Sequence, residues 1–231
     1  MGLNIYRNSR RSFLLVLALV AMCGSLAPGC HRPSEALRLK EGDLLFQDLD
    51  CGPMCDAIEA VTQGVNGRNF SHCALVVRID DTLRVVEAVG AGVRIHSIRT
   101  FLARSGDTSA PIHTVLGRLK PHYQNLIPGA VAFALEQVGA PYDRAFLPNN
   151  GSWYCSELIY EAFKQANQNQ PLFPLEPMTF KASHTDDFFP VWISYYNELG
   201  QEIPEGIPGI NPGSLSRSDK LDILPWFFPE E

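Results

Sequence analysis

The sequence has no basic stripe, no internal repeat, no low-complexity run and no apolar stretch long enough to cross a bilayer. Each absence narrows the field. With 19 Lys and Arg against 25 Asp and Glu the net charge is −6, and an acidic chain without a basic stripe is not a general nucleic-acid binder. The lack of repeats excludes a stacked-repeat architecture. Cysteine is sparse, six in 231 residues, and Cys51 and Cys55 in DCGPMCDAIEA stand four apart where a helix begins. That spacing permits a disulfide, because residues one helical turn apart have Cα atoms about 6 Å apart. A zinc site joining this pair to His72 and Cys73 lacks a second close pair of ligands, and CGPMC is one residue longer than the redox CxxC motif.

What is present begins with an export signal. Arg7, Arg10 and Arg11 precede an apolar run from Phe13 to Met22, followed by small residues up to Cys30; the run is too short to span a bilayer. Ser9-Arg10-Arg11-Ser12-Phe13-Leu14 resembles a twin-arginine signal. LAPGC resembles a bacterial lipobox, with alanine where leucine is usual three residues before Cys30. The expectation is a signal peptide over 1–29, a lipidated Cys30 with a polar tether to residue 40, and one domain over 41–231 anchored at the membrane or in the periplasm. A simply cleaved secretory signal is the alternative. Cleavage before Cys30 removes three basic side chains and no acid, leaving 16 against 25 and a net charge of −9. An anionic membrane repels that charge, so attachment would depend on the lipid.

Hydrophobic content of 45% with 19% charge suits a single globular core. KEGDLLFQ predicts a strand at about 43–47, and a helix follows over 54–63. HCALVVRI is a nearly continuous apolar run; Asp80-Asp81 then signals a turn into TLRVVEAVG and GVRIHSI. The economical reading is an antiparallel three-stranded meander. FLARSG predicts a short helix, IHTVLGRLK a strand, and PGAVAFALEQV a helix over 128–138 that stops at Gly139. A further helix is expected from Trp153 to Ala166 with Ser152 as N-cap and Cys155, Leu158, Ile159 and Ala162 on one face. The proline- and aromatic-rich tail from about 170 reads as a loop-rich wrap on the same core. The fold class is α+β, an antiparallel sheet packed against helices.

Cys155 lies in the first turn of that last helix. A buried, inert cysteine fits such a place, and so does a nucleophile, because a helix N-terminus favours the thiolate. A nucleophile needs an imidazole nearby and a group to orient it. Of the six histidines, His31 sits in the tether, His122 and His184 in polar loops, and His96 and His113 in strand patterns that suit a hydrogen-bonded surface or core role. His72 opens the most apolar strand directly after a loop, where catalytic groups are commonly displayed. If Asp80-Asp81 is a two-residue turn, residue 79 pairs with 82, His72 lies opposite Val89, and Glu87 is its diagonal neighbour on the same face. A one-residue change in the turn would put the two on opposite faces. Glu87, in VVEAV, needs a partner if it is buried.

These stretches together carry a resemblance. GDLLFQ, SHCALVV, VVEAVG, VGAPYD and YCSELIY, in that order, are similar to the YiiX/YebB-like permuted papain-fold amidases of the NlpC-type cysteine peptidase group. The likeness covers roughly residues 40–165, with an echo in EIPEGIPGINPGSL. It implies a circularly permuted papain-like fold, with the histidine and glutamate strands ahead of the cysteine helix. It also implies that Cys155 is the nucleophile, His72 the general base and Glu87 the group that orients His72. Tyr142 of GAPYD would position the nucleophile or stabilise the oxyanion. One departure is Tyr154, where the unpermuted enzymes have aspartate before the cysteine; it bears on substrate selection.

The expected activity is a cell-envelope cysteine hydrolase acting on an amide, in a peptidoglycan stem peptide or an acyl amide, with no cofactor and no metal. The same residues would serve a lipid thioesterase or acyltransferase, with Phe146 and Leu147 as candidate walls of an acyl pocket. A non-catalytic envelope lipoprotein that binds peptides or lipids is the other class. The expected partners are the substrate and, through the anchor, the membrane; nucleic acid is not among them.

Overall fold

Asp80 and Asp81 have φ of 46° and 60°, the left-handed pair that a type I′ turn requires and whose twist matches the strands it joins. In this computed structural model, which describes residues 38–105, 114–182 and 185–224, the turn links β2 (His72–Ile79) to β3 (Thr82–Val89). Ile79 pairs with Thr82 and Leu75 with Val86, which is the register expected from the sequence. A second two-residue turn leads into β4 (Gly92–Ser97), with Val89 opposite Gly92, and the meander is complete. β1 (Leu44–Gln47) lies on the other side of β2, followed outward by β5 (Thr114–Leu119) and β8 (Leu221–Leu224). The sheet order is β4-β3-β2-β1-β5-β8, antiparallel throughout. A separate two-stranded ribbon pairs β6 (Glu176–Pro177) with β7 (Pro208–Gly209).

The helices are α1 (Pro53–Val61), α2 (Ile98–Leu102), α3 (Ile127–Glu136), α4 (Cys155–Ala166), α5 (Pro190–Leu199) and α6 (Pro212–Ser216). One sheet face, with Phe46, Cys73, Leu75, Val77, Val86 and Ala88, packs against Ala130 and Ala134 of α3 and Leu158, Ile159, Ala162 and Phe163 of α4. The other face, with Leu45, Ala74, Val76 and Val85, packs against Phe101 of α2. Burial on both faces explains why HCALVV is continuously apolar rather than alternating. Leu158, Ile159 and Phe163 are each at most 1% exposed and contribute roughly 2 kcal/mol apiece. That stripe fixes α4, and with it Cys155, against β2 and β3.

The tail does wrap the core. Trp192 and Tyr196 of α5 bury themselves with Ala57 of α1 and Phe180. Cys51 and Cys55 form a disulfide with Cα atoms 5.4 Å apart, tying the chain before α1 to its first turn. The segment leading into β1 is held as well: Arg118 donates to the Arg38 carbonyl at 2.9 Å, and Leu39 packs on the sheet.

Gly92 sets the position of the next functional segment. Its φ is 98°, and a Cβ there would lie 2.3 Å from the Ala140 carbonyl oxygen. Because glycine leaves that space empty, Val93 N–H donates to Ala140 O at 2.9 Å and Gly139 N–H donates to Val93 O at 3.0 Å. The GAPYD loop is thereby pinned to the edge of the meander.

Candidate active site

The start of α4 differs from the sequence expectation, and the difference matters. Trp153 N–H donates to the Pro141 carbonyl and Asp143 N–H donates to the Trp153 carbonyl, both at 3.1 Å, forming a parallel bridge between Tyr142 and Trp153. Trp153 is thereby held extended, so the helix begins two residues later than expected. Tyr154 (φ −94°, ψ 167°) is the N-cap in place of Ser152, and no side chain caps this end. Cys155 is therefore the first residue of α4, where free N–H groups and the positive end of the helix dipole favour an anion.

His72 and Glu87 meet as the register requires, with His72 Nε2 and Glu87 Oε2 2.5 Å apart. The carboxylate is fully buried and has two more donors on its other oxygen, His96 Nδ1 at 2.8 Å and the Arg104 guanidinium. Burial alone would raise the Glu87 pKa, but His72 and then Arg104 pull it down to about 2. An ionised carboxylate only accepts hydrogen bonds, so His72 Nε2 carries the proton of this contact and Nδ1 is left for the sulfur. Behind the pair, the Phe101 ring lies 5.8 Å from His72 and 5.4 Å from the Arg104 guanidinium, and the Phe101 carbonyl accepts from Gln47 at 3.0 Å.

Cys155 lies within interaction range of the His72 ring and of the thiol and backbone N–H of Cys73. The Cys73 thiol lowers the Cys155 pKa most; burial opposes it, His72 adds to the lowering, and the outcome is far below the usual thiol range. Burial also works against His72, yet its interactions with Cys155 and Glu87 prevail and push it up to about 9. Cys73 shifts the other way: burial first, then the Cys155 sulfur, raise it well above the ordinary value. The opposite shifts favour a thiolate on Cys155 and an imidazolium on His72, beside a Cys73 thiol that holds its proton. Glu157 in the first turn of α4 adds no charge, because burial, then Asp143, push its pKa up to about 8.

The residues flanking Cys155 clamp the C-terminal segment. Tyr154 Oη accepts from Ile210 N–H at 3.3 Å, and Ser156 Oγ donates to Ile210 O at 2.8 Å. That gives Tyr154, the departure from the aspartate pattern, a structural task. Asp143 organises the adjoining loop by accepting from the N–H groups of Ala145 and Leu147, both at 2.8 Å. Beside Cys155 lies a cavity of about 140 Å³ lined by Tyr142, Phe146, Tyr154, Ile58, Met178, Phe180 and Trp192, with the half-exposed ion pair Arg217–Glu176 (3.6 Å) among its walls. Burial and then the Cys155 charge keep the Tyr142 phenol protonated.

Cys155, His72, Glu87 and Tyr142, the four residues singled out in the sequence, are therefore in one place. Phe146 lines the cavity; Leu147 does not. His122 meets Tyr123 edge-on, with ring centroids 5.0 Å apart, and is not among the residues lining the cavity. Cys30, His31, His113 and His184 lie outside the described residues. The sequence reading missed Arg104 and the roles of His96 and Cys73. His96 was within reach of the same pairing argument, since it opposes Val85 and is thus diagonal to Glu87. Among the described residues, no three or more His, Cys, Asp or Glu side chains are placed to hold a metal ion.

Comparison with known proteins agrees with this fold. A crystal structure of metalloprotein YiiX from Escherichia coli O157:H7 has a TM-score of 0.64 at 20% identity, covering 84% of this chain and 100% of that one, a likeness of fold. The uncharacterized protein YiiX of Escherichia coli (strain K12) is 25% identical over 134 residues, 58% of this chain and 62% of that protein. The match thus spans less than two thirds of that relative. Residues 38–224 match the family described as permuted papain-like amidase enzymes, YaeF/YiiX, C92 family. The chain belongs to this family of permuted papain-like amidases, and its fold is α+β and circularly permuted papain-like.

Proposed function

We propose that Cys155, His72 and Glu87 are the catalytic triad of an envelope hydrolase that cleaves an amide bond through an acyl-enzyme. The observation that carries this reading is the His72–Glu87 hydrogen bond with the Cys155 sulfur beside the same imidazole, at the first residue of a helix and facing a cavity. The thiolate attacks the carbonyl carbon. The donors assigned to the oxygen that becomes negative are the Cys155 N–H, at the start of α4, and the Tyr142 hydroxyl, whose residue lines the same cavity. His72 passes its proton to the leaving amine, and the C–N bond breaks to give a thioester. His72 then takes a proton from water, whose oxygen displaces the sulfur and releases the acid. A protein that only bound its ligand would need none of these proton-handling contacts.

The aromatic and aliphatic part of the cavity wall, with Phe146, Phe180, Trp192 and Met178, supports an acyl group or an apolar side chain on the carbonyl side of the cleaved bond. Lipid esters or thioesters, or acyl transfer, are the second reading on that ground. A panel of peptide amides, acyl amides, esters and thioesters given to the full chain separates the two. In the same assay kcat/KM should fall as pH rises through about 9, where His72 loses the proton it must give to the amine. A profile flat from pH 7 to about 10.5 would remove His72 as the acid.

The proposal includes export and a lipid anchor at Cys30, supported by the arginine pair and LAPGC. Lipoprotein processing adds more than one acyl chain, and at about 0.8 kcal/mol per buried CH₂ two chains hold firmly. Cys30→Ala should abolish lipid labelling and release the exported protein from the membrane fraction. Unchanged fractionation would move the anchor elsewhere in the chain.

A further inference from the structure

We propose that Cys73 is a resolving thiol for Cys155: after a hydroperoxide oxidises the nucleophile, the two close a disulfide that shuts the site reversibly. Three observations converge on this. Cys73 and Cys155 are the two free cysteines among the described residues, the other pair being already joined as Cys51–Cys55. Their side chains meet in one core cluster where α4 packs on β2, Cys73 from the sheet face and Cys155 from the first residue of the helix, close enough for each thiol to shift the other's pKa. Their access differs. Cys155 lines the cavity, whereas Cys73 is 0% exposed within the core. A small oxidant entering the cavity therefore meets Cys155 alone, and Cys73 has only Cys155 to react with.

A core position facing a helix needs nothing more than a small apolar side chain, which valine or alanine would supply. Cysteine there places a protonated thiol against the sulfur that the reading above makes a thiolate, and the inference rests on that reading. The chemistry balances without a further co-reactant. The Cys155 thiolate gives two electrons to the peroxide: its S–O bond forms as the O–O bond breaks, leaving a sulfenic acid and, after proton uptake, water. The Cys73 sulfur then attacks the Cys155 sulfur. The S–S bond forms, the S–O bond breaks, and hydroxide departs with the Cys73 proton as water. The sulfurs have to close to about 2.05 Å. A dithiol reverses the step and restores both thiols. Without Cys73 the sulfenic acid has no thiol partner, and a second peroxide takes it irreversibly to the sulfinic acid.

The test needs no knowledge of the substrate. The full chain is treated with hydrogen peroxide, capped with iodoacetamide and digested with trypsin without reduction. Cleavage after Arg68, Arg78, Arg144 and Lys164 puts Cys73 and Cys155 on separate peptides, 69–78 and 145–164. The expected result is these two peptides joined, with labelling of Cys155 down about tenfold and restored by dithiothreitol. In Cys73→Ser, labelling scored against its own untreated control should fall equally and stay low after dithiothreitol, with Cys155 found as the sulfinic acid. Sulfinic acid in the wild type without the joined peptides overturns the proposal, and so does full recovery in Cys73→Ser. If the serine variant does not fold, the joined wild-type peptides decide alone. Cys155 that fails to label even before peroxide removes the thiolate reading and this inference with it; Cys155 that labels but never joins Cys73 removes only the inference.

Discussion

Cys155→Ser should lower turnover by about 10⁴-fold or more while leaving the melting temperature almost unchanged. The two halves of this result have different causes. The serine hydroxyl nearly matches the thiol in size, and the position, the first of α4 and 7% exposed, tolerates it. The apolar stripe that holds α4 on the sheet is untouched. The chemistry, by contrast, depends on a charge that serine does not hold at neutral pH. The Cys73 thiol and the His72 imidazolium bring Cys155 far below the usual thiol range, but an alcohol begins several units higher and stays protonated. His72 in turn loses one of the partners that push its pKa up to about 9. It becomes a neutral base facing a neutral alcohol, and the ion pair that makes attack fast is gone. Initial rates on the best substrate of the panel, with a melting curve, would show both effects. A serine variant that keeps more than about a tenth of the wild-type rate would place the nucleophile elsewhere.

How much of this was legible in the sequence follows from the range of the interactions involved. The β2–β3 register was legible because a two-aspartate turn is local: it sets which residues oppose, and hence that His72 and Glu87 share a face. The apolar stripe of α4 was legible for the same reason, since helical periodicity is written within a dozen residues. The start of α4 was not, because the bridge between Tyr142 and Trp153 decides it, and no local propensity reports a contact across ten residues of loop. The outer sheet order β1-β5-β8 depends on pairings between segments far apart in the chain, and the last of them lies in the tail. Of the groups around Glu87, His96 follows from turn geometry, whereas Arg104 arrives from beyond α2 on a path with no periodic signal. Cys73 shows why the nucleophile cannot be read alone. Strand alternation sends its side chain to the α4 face, yet only the packed structure shows that it meets the Cys155 sulfur.

Glu87→Ala should cost about 3–5 kcal/mol of stability as well as most of the activity. The side chain is 0% exposed and is the shared acceptor of His72, His96 and Arg104. Truncation leaves the Arg104 guanidinium without its carboxylate and the His72 imidazolium with the Cys155 sulfur as its one remaining anionic partner, and removing one partner of a buried pair is far costlier than replacing both. Glu87→Gln retains an acceptor oxygen and should be milder in stability, but it removes the charge that helps keep His72 protonated and oriented. The pH dependence tells the two contributions apart. The Glu87 pKa is depressed on folding, from an ordinary 4.5 to about 2. Its charge therefore contributes stability that is complete above pH 4.5 and is lost as pH falls towards 2, by about 3 kcal/mol in all. Chemical denaturation of wild type and Glu87→Gln side by side should show a gap that is constant between about pH 5 and 6 and shrinks on acidification through that window. If the gap stays constant down to about pH 2, Glu87 carries no charge-dependent stabilisation, and the carboxylate is not what holds His72 in place.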